Sequence, residues 1–113
     1  QGFLWLDRDG FVQYFAPDVD RTQAHVLAAV QKPIAASAFL DEKPFGEPAW
    51  KSLPSWYLLT EQDQMLPPDA QRLMAQRAGA TISTVASSHV SMIAHPHVVA
   101  ELILTATQAV VHA

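Results

Sequence analysis

Cysteine is absent from this 113-residue chain, so disulfides, thiolate metal sites and cysteine nucleophiles are excluded together. Basic residues are scarce: 7 Lys and Arg stand singly along the sequence against 11 Asp and Glu, for a net charge of -4. Without a basic patch there is nothing to neutralise a phosphate backbone, and no nucleic-acid partner is expected. Long uninterrupted apolar runs are also missing. The longest, Val98 to Ala113, is broken by Glu101, Thr105, Gln108 and His112. It reads as a helix packed on a surface, with no membrane partner expected. Gln1-Gly2-Phe3 supplies neither an initiator Met nor a basic leader, which gives the expectation of a chain cut from a longer one. The compartment stays open. Half of the residues are apolar and 16% are charged, enough for one small core.

Residues 3–15 alternate loosely between apolar and polar around Asp9-Gly10, a pair that tolerates the positive φ of a tight turn. The expectation is a hairpin with strands at Phe3–Leu6 and Phe11–Phe15. From Pro17-Asp18 the period changes, and Val19, Thr22, Val26, Ala29 and Val30 recur at helical spacing, predicting a helix to about Gln31 that Pro33 stops. A shorter helical piece is expected over Ala35 to Asp41. Between Asp41 and Pro54, the prolines at 44, 48 and 54 and Gly46 exclude a continuous helix or central strand, leaving a loop pinned by Phe45 and Trp50.

Beyond that loop the pattern is strand, helix, strand, helix. Trp56–Thr60 has the length of a buried strand. Pro68 to Ala78 is helical, with Pro67-Pro68 at its start and Gly79 where a left-handed residue ends a helix. Thr81–Ala86 is rich in β-branched residues, and Pro96 to His112 forms the closing helix. Two strands joined by one such helix make a parallel crossover, the unit of an α/β sheet, and two strands are too few for a stable sheet.

Two residues stand where α/β proteins gather their chemistry, beyond the C-terminal ends of the strands: Asp63, three residues past Thr60, and His89, three past Ala86. If neighbouring strands carry them, both fall on one rim. A carboxylate bonded to one imidazole nitrogen fixes the tautomer and stabilises the imidazolium that forms when the ring takes a proton. Spacing alone also allows the usual fate of loop Asp and His residues, solvation or capping. Asp69, Glu61 and Asp41 are competing carboxylates, although Asp69 already suits the positive end of a helix dipole. His95 and His97 flank a proline at i, i+2, a spacing that does not place two imidazoles on one helical face, so no metal site is expected. His25 reads as solvated. Trp5, Phe11, Phe15, Phe39, Trp50 and Trp56 are candidates to line an apolar acyl or aryl pocket, with core packing as the competing role.

Taken in order, Phe11-Val12-Gln13-Tyr14-Phe15-Ala16-Pro17-Asp18, Thr60-Glu61-Gln62-Asp63, Pro68-Asp69-Ala70-Gln71-Arg72 and Ser87-Ser88-His89 with Pro96 resemble the second half of an α/β-hydrolase. The resemblance is to the group that holds plant methylesterases, hydroxynitrile lyases and related bacterial esterases, and it covers nearly the whole chain. It implies the last parallel strands and helices of an α/β-hydrolase fold over residues 55–113, with residues 1–54 part of the helical cap. It makes Asp63 the triad acid and His89 the triad base, in the family's order of nucleophile, acid, histidine. It implies no cofactor.

The family's nucleophile is a Ser in a G-x-S-x-G elbow. Glycines occur here only at 2, 10, 46 and 79, so no such elbow is present, and the loop that would form the oxyanion hole is missing too. The expectation is therefore hydrolysis of a small carboxylic ester with the Ser, and the N-terminal half of the hydrolase, supplied from outside this chain. The alternative is a non-catalytic interaction piece that needs that half. Hydroxynitrile lyases of the group carry a lysine directly after the histidine, where this chain has Val90, so lyase chemistry ranks below ester hydrolysis. Val90 itself reads as packing.

Overall fold

The computed structural model describes residues 2–40 and 45–112. The two halves of the chain build their local structure from different rules and meet in one core.

The first half opens on a two-residue strand, β1 (Phe3–Leu4), which pairs antiparallel with β2 (Ile34–Ala35), Phe3 opposite Ala35. The expected hairpin does not form: Phe11–Phe15 is helical, and the partner of β1 comes from after the next helix. The reason lies at Asp7. Its side chain accepts from the Gly10 N–H at 2.9 Å, so Asp7 caps a helical turn, α1 (Arg8–Gly10), and Gly10 takes φ -60 instead of a positive value. The chain then widens into a π-helical turn over Phe11–Phe15, in which the Ala16 N–H donates to the Phe11 carbonyl at 3.0 Å. Phe11 and Phe15, spaced as one helical face, stack with ring centroids 4.7 Å apart.

Helix α2 (Arg21–Val30) begins later than Pro17, because Asp20 is its cap, accepting from the Gln23 N–H at 3.0 Å. Pro17 and Asp18 are left in the preceding turn. Past the helix end, the Gln31 side chain donates to the Leu6 carbonyl at 2.8 Å and accepts from the Leu6 N–H at 3.2 Å, fastening β1 beside α2. The short helix expected from Ala35 is α3 (Ser37–Leu40), its first residue having gone to β2 instead; its expected end at Asp41 lies outside the described residues. In the proline-rich loop a 3₁₀ turn spans Ala49–Lys51, and Arg77 lies 5.8 Å above the Trp50 ring.

The second half follows its pattern closely. β3 (Trp56–Thr60) and β4 (Thr81–Val85) pair parallel in register, Trp56 with Thr81 through Thr60 with Val85. The ladder continues past the strands: Glu61 N–H donates to Val85 at 2.9 Å and Gln62 N–H to Ser87 at 3.1 Å. Between the strands, α4 (Pro68–Arg77) starts with Pro at its first position and ends at Gly79, which has φ 62. Gly79 N–H donates to Gln76 and Ala80 N–H to Ala75, both at 3.0 Å, which closes the helix end in a Schellman pair. A short helix not expected from the sequence, α5 (Ser91–Ala94), precedes the closing helix α6 (Pro96–Val111). Among the described residues no helix is long and apolar enough to cross a membrane.

Phe11, Ala16, Val19, Ala24 and Ala28 from the first half form a buried cluster with Val90 from the second. Val90 therefore packs, as expected, and its position draws the loop that carries His89 onto the helices of residues 8–30. By the usual value for apolar burial, each large side chain sunk there contributes about 1.5–3 kcal/mol.

Candidate active site

Asp63 and His89 reach each other because β3 and β4 are adjacent and parallel, so the loops that leave their C-terminal ends share one rim. His89 Nδ1 and Asp63 Oδ2 are 2.8 Å apart. The carboxylate is buried, its side chain 3% exposed, whereas the imidazole is 37% exposed and opens toward solvent.

Burial would raise the Asp63 pKa, but hydrogen bonds outweigh it and hold the group below its ordinary 3.8. Oδ1 accepts from the backbone N–H groups of Met65 at 2.8 Å and Leu66 at 2.9 Å. Oδ2 accepts from the Thr60 hydroxyl at 3.0 Å as well as from His89. An ionised carboxylate only accepts, so Nδ1 of His89 must donate, and in the neutral ring the lone pair stands on Nε2. The same charge, after burial, pushes the Tyr57 phenol above its ordinary 10.0.

Gln71, on α4, holds the bend between Thr60 and Leu66. It is 2% exposed; its side-chain oxygen accepts from the Thr60 N–H at 3.0 Å, and its nitrogen donates to the Leu66 carbonyl at 2.8 Å and to the Thr60 hydroxyl at 3.0 Å. The helix thus fixes the turn whose N–H groups stabilise the charge of Asp63. Nothing in the bare sequence singles Gln71 out, although a Gln one turn into a helix after an Asp loop is a spacing that permits it.

Asp18 is the second carboxylate of the region, and sequence reasoning assigned it only to a helix start. Its Oδ2 accepts from the Ser87 hydroxyl at 3.0 Å and the Ser88 N–H at 2.9 Å, and its Oδ1 accepts from the Ser88 hydroxyl. These bonds outweigh the burial that would raise its pKa and hold it below 3.8. His95 Nε2 lies 3.7 Å from the same carboxylate. The Asp-Val-Asp spelling of residues 18–20 carries the signal in part: two acceptors precede one helix, and only Asp20 is needed as its cap.

The remaining candidates disperse. Glu61 and Asp69 are exposed, and Asp41 lies outside the described residues. His25 is exposed on α2. The rings of His95 and His97 stand 6.4 Å apart, edge to face, with His95 turned to Asp18. Of the aromatics, Phe11 is in the core, Trp50 lies beneath Arg77, and Trp56 faces α6 near Leu102. Trp5, Phe15 and Phe39 line an open groove of about 470 Å³ with Leu4, Ile34 and Lys32. Phe15 joins that groove to the acid–base pair, since its ring centroid is 4.8 Å from that of His89.

Against known proteins, a family model described as the alpha/beta hydrolase family matches residues 2–102. No curated protein matches the chain.

Proposed function

Because the chain belongs to the alpha/beta hydrolase family, we propose that it carries the acid and the base of a carboxylic ester hydrolase, the nucleophilic Ser lying outside these 113 residues. The observation that carries this reading is the 2.8 Å contact between a buried, ionised Asp63 and a half-exposed His89.

In this mechanism Nε2 of His89 takes the Ser proton as the hydroxyl oxygen adds to the ester carbonyl. The imidazolium then gives that proton to the departing alcohol, leaving an acyl-Ser. Water repeats the exchange and releases the acid. Asp63 keeps Nδ1 protonated and Nε2 aimed outward throughout, and offsets the positive charge each time it forms. Residues 1–54 belong to the cap. The groove beneath Trp5 and Phe39, reached past Phe15, receives the apolar acyl or aryl part of a small ester.

Two features support a polypeptide partner bearing the nucleophile. No two glycines are spaced for an elbow. Leu73 and Met74 on α4, and Ile103, Leu104 and Val111 on α6, are exposed, more apolar surface than the covering helices of a parallel sheet normally show to water.

The test is to combine the chain with a polypeptide carrying a strand and a G-x-S-x-G turn and to follow p-nitrophenyl ester cleavage. A burst of p-nitrophenol followed by steady turnover is expected from acyl transfer. Cyanide release from a hydroxynitrile without ester cleavage would replace this reading with the lyase one. A combined protein inert to both would leave the chain an interaction piece.

A further inference from the structure

His89 sits on a loop, and loops do not hold an imidazole to hydrogen-bond tolerance unless something fixes their backbone. From the sheet side, the Gln62 N–H donates to the Ser87 carbonyl at 3.1 Å. From the opposite side comes Asp18, 70 residues earlier, whose carboxylate takes three hydrogen bonds from the two residues immediately before His89. Ser87 and Ser88 are 0% and 1% exposed, so without Asp18 their hydroxyls and the Ser88 N–H would be buried polar groups robbed of that partner. Three residues before Asp18, the Phe15 ring lies against the imidazole itself. One short segment, 15–18, thus grips His89 at both its ring and its backbone root.

We infer that Asp18 is a positioning residue for His89: by clamping Ser87 and Ser88 it sets the imidazole where Nδ1 meets Asp63 and the ring meets Phe15. The inference rests on the reading of His89 as the base, but its geometry is measured separately. A carboxylate placed only to join the two halves of the chain would serve at any buried donor. This one takes both hydroxyls and the Ser88 backbone N–H of the two residues that lead directly into His89. His95 Nε2 stands 3.7 Å from Oδ2, the oxygen that also accepts from the Ser87 hydroxyl and the Ser88 N–H, while Oδ1 takes the Ser88 hydroxyl.

The experiment uses the whole chain and the low-field proton NMR signal of His89 Nδ1–H, identified by its disappearance in His89→Gln. Asp18→Asn keeps the shape but cannot accept all three bonds; exchange of that proton with water should accelerate at least about tenfold, while the dispersed amide spectrum of β3, β4 and α4 persists. Ser88→Ala is the milder variant, for use if Asp18→Asn does not fold, and should accelerate exchange by a smaller factor. An unchanged Nδ1–H exchange rate in either folded variant, whatever the loss of thermal stability, overturns the inference and leaves Asp18 a stabilising clasp only. The signal reports where the ring sits and not what it does, so an ester assay of His89→Ala judges the base assignment independently.

Discussion

Gln71 and Asp63 never share a strand, a helix or a loop, yet Gln71 is the side chain that shapes the site of Asp63's charge. By bonding Thr60 and Leu66 at once it closes the turn whose N–H groups point into the carboxylate. Gln71→Ala should therefore cost about 2–3 kcal/mol, from a cavity and from buried groups left unpaired. It should also weaken the Asp63–His89 contact. Chemical denaturation read beside the His89 Nδ1–H signal checks both; a stable variant with an unchanged signal would show that the turn closes without Gln71.

Asp63 makes stability depend on acid in a direction that follows from its lowered pKa. A group whose folded value lies below its unfolded value of 3.8 contributes fully above 3.8, and that contribution disappears as pH falls through the folded value. Asp18 adds to the same window. Thermal unfolding followed between about pH 5 and pH 2 should show a steep loss in the parent chain and a shallower one in Asp63→Asn. At neutral pH that substitution should itself cost about 2 kcal/mol, the usual value for hydrogen bonds to a charged group. Parallel pH curves for the two proteins would mean the carboxylate is not held ionised by the fold.

Under the proposed function, the groove's lining residues set the preference among esters. Trp5→Ala removes the largest side chain of its wall without touching His89, so in the complemented enzyme it should raise KM for aryl esters about tenfold while sparing acetyl esters. Steady-state kinetics on the two ester classes checks this. An equal change for both would take the groove out of substrate binding.

Gly79 occupies φ 62 with nothing within 4 Å of where a Cβ would be. Any cost of Gly79→Ala is therefore backbone strain alone, about 1–2 kcal/mol. The midpoint of denaturation should fall accordingly with no effect on the His89 signal.

How much of this was legible in the sequence depends on how local the decisive interaction was. Strands at Trp56–Thr60 and Thr81–Val85, and the helix closed by Gly79, follow from apolar run length, β-branching and a helix stop, all contained within a few residues. The meeting of Asp63 and His89 follows from one further step, that parallel neighbours deliver their loops to one rim. Near the start the decisive contact lies outside the turn-like pair. Asp9-Gly10 has the spelling of a hairpin turn, but Asp7 captures the Gly10 N–H first and turns the segment helical, so Phe3–Leu4 finds its partner 31 residues on at Ile34–Ala35. Asp18 stands beside a helix start, yet its partners lie at Ser87 and Ser88. Spacing within a segment carries no trace of a bond across 70 residues, and such a bond becomes visible only when the core around Val90 brings the halves together.

In the proposed mechanism the imidazole of His89, held by Asp63, moves the proton in ester cleavage. The most direct measurement is kcat for p-nitrophenyl ester turnover by the complemented protein, compared between the parent chain and His89→Ala under conditions where both are folded. The expected loss is about a thousandfold, within the range of a positioned general base. Equal kcat in the two proteins would contradict it.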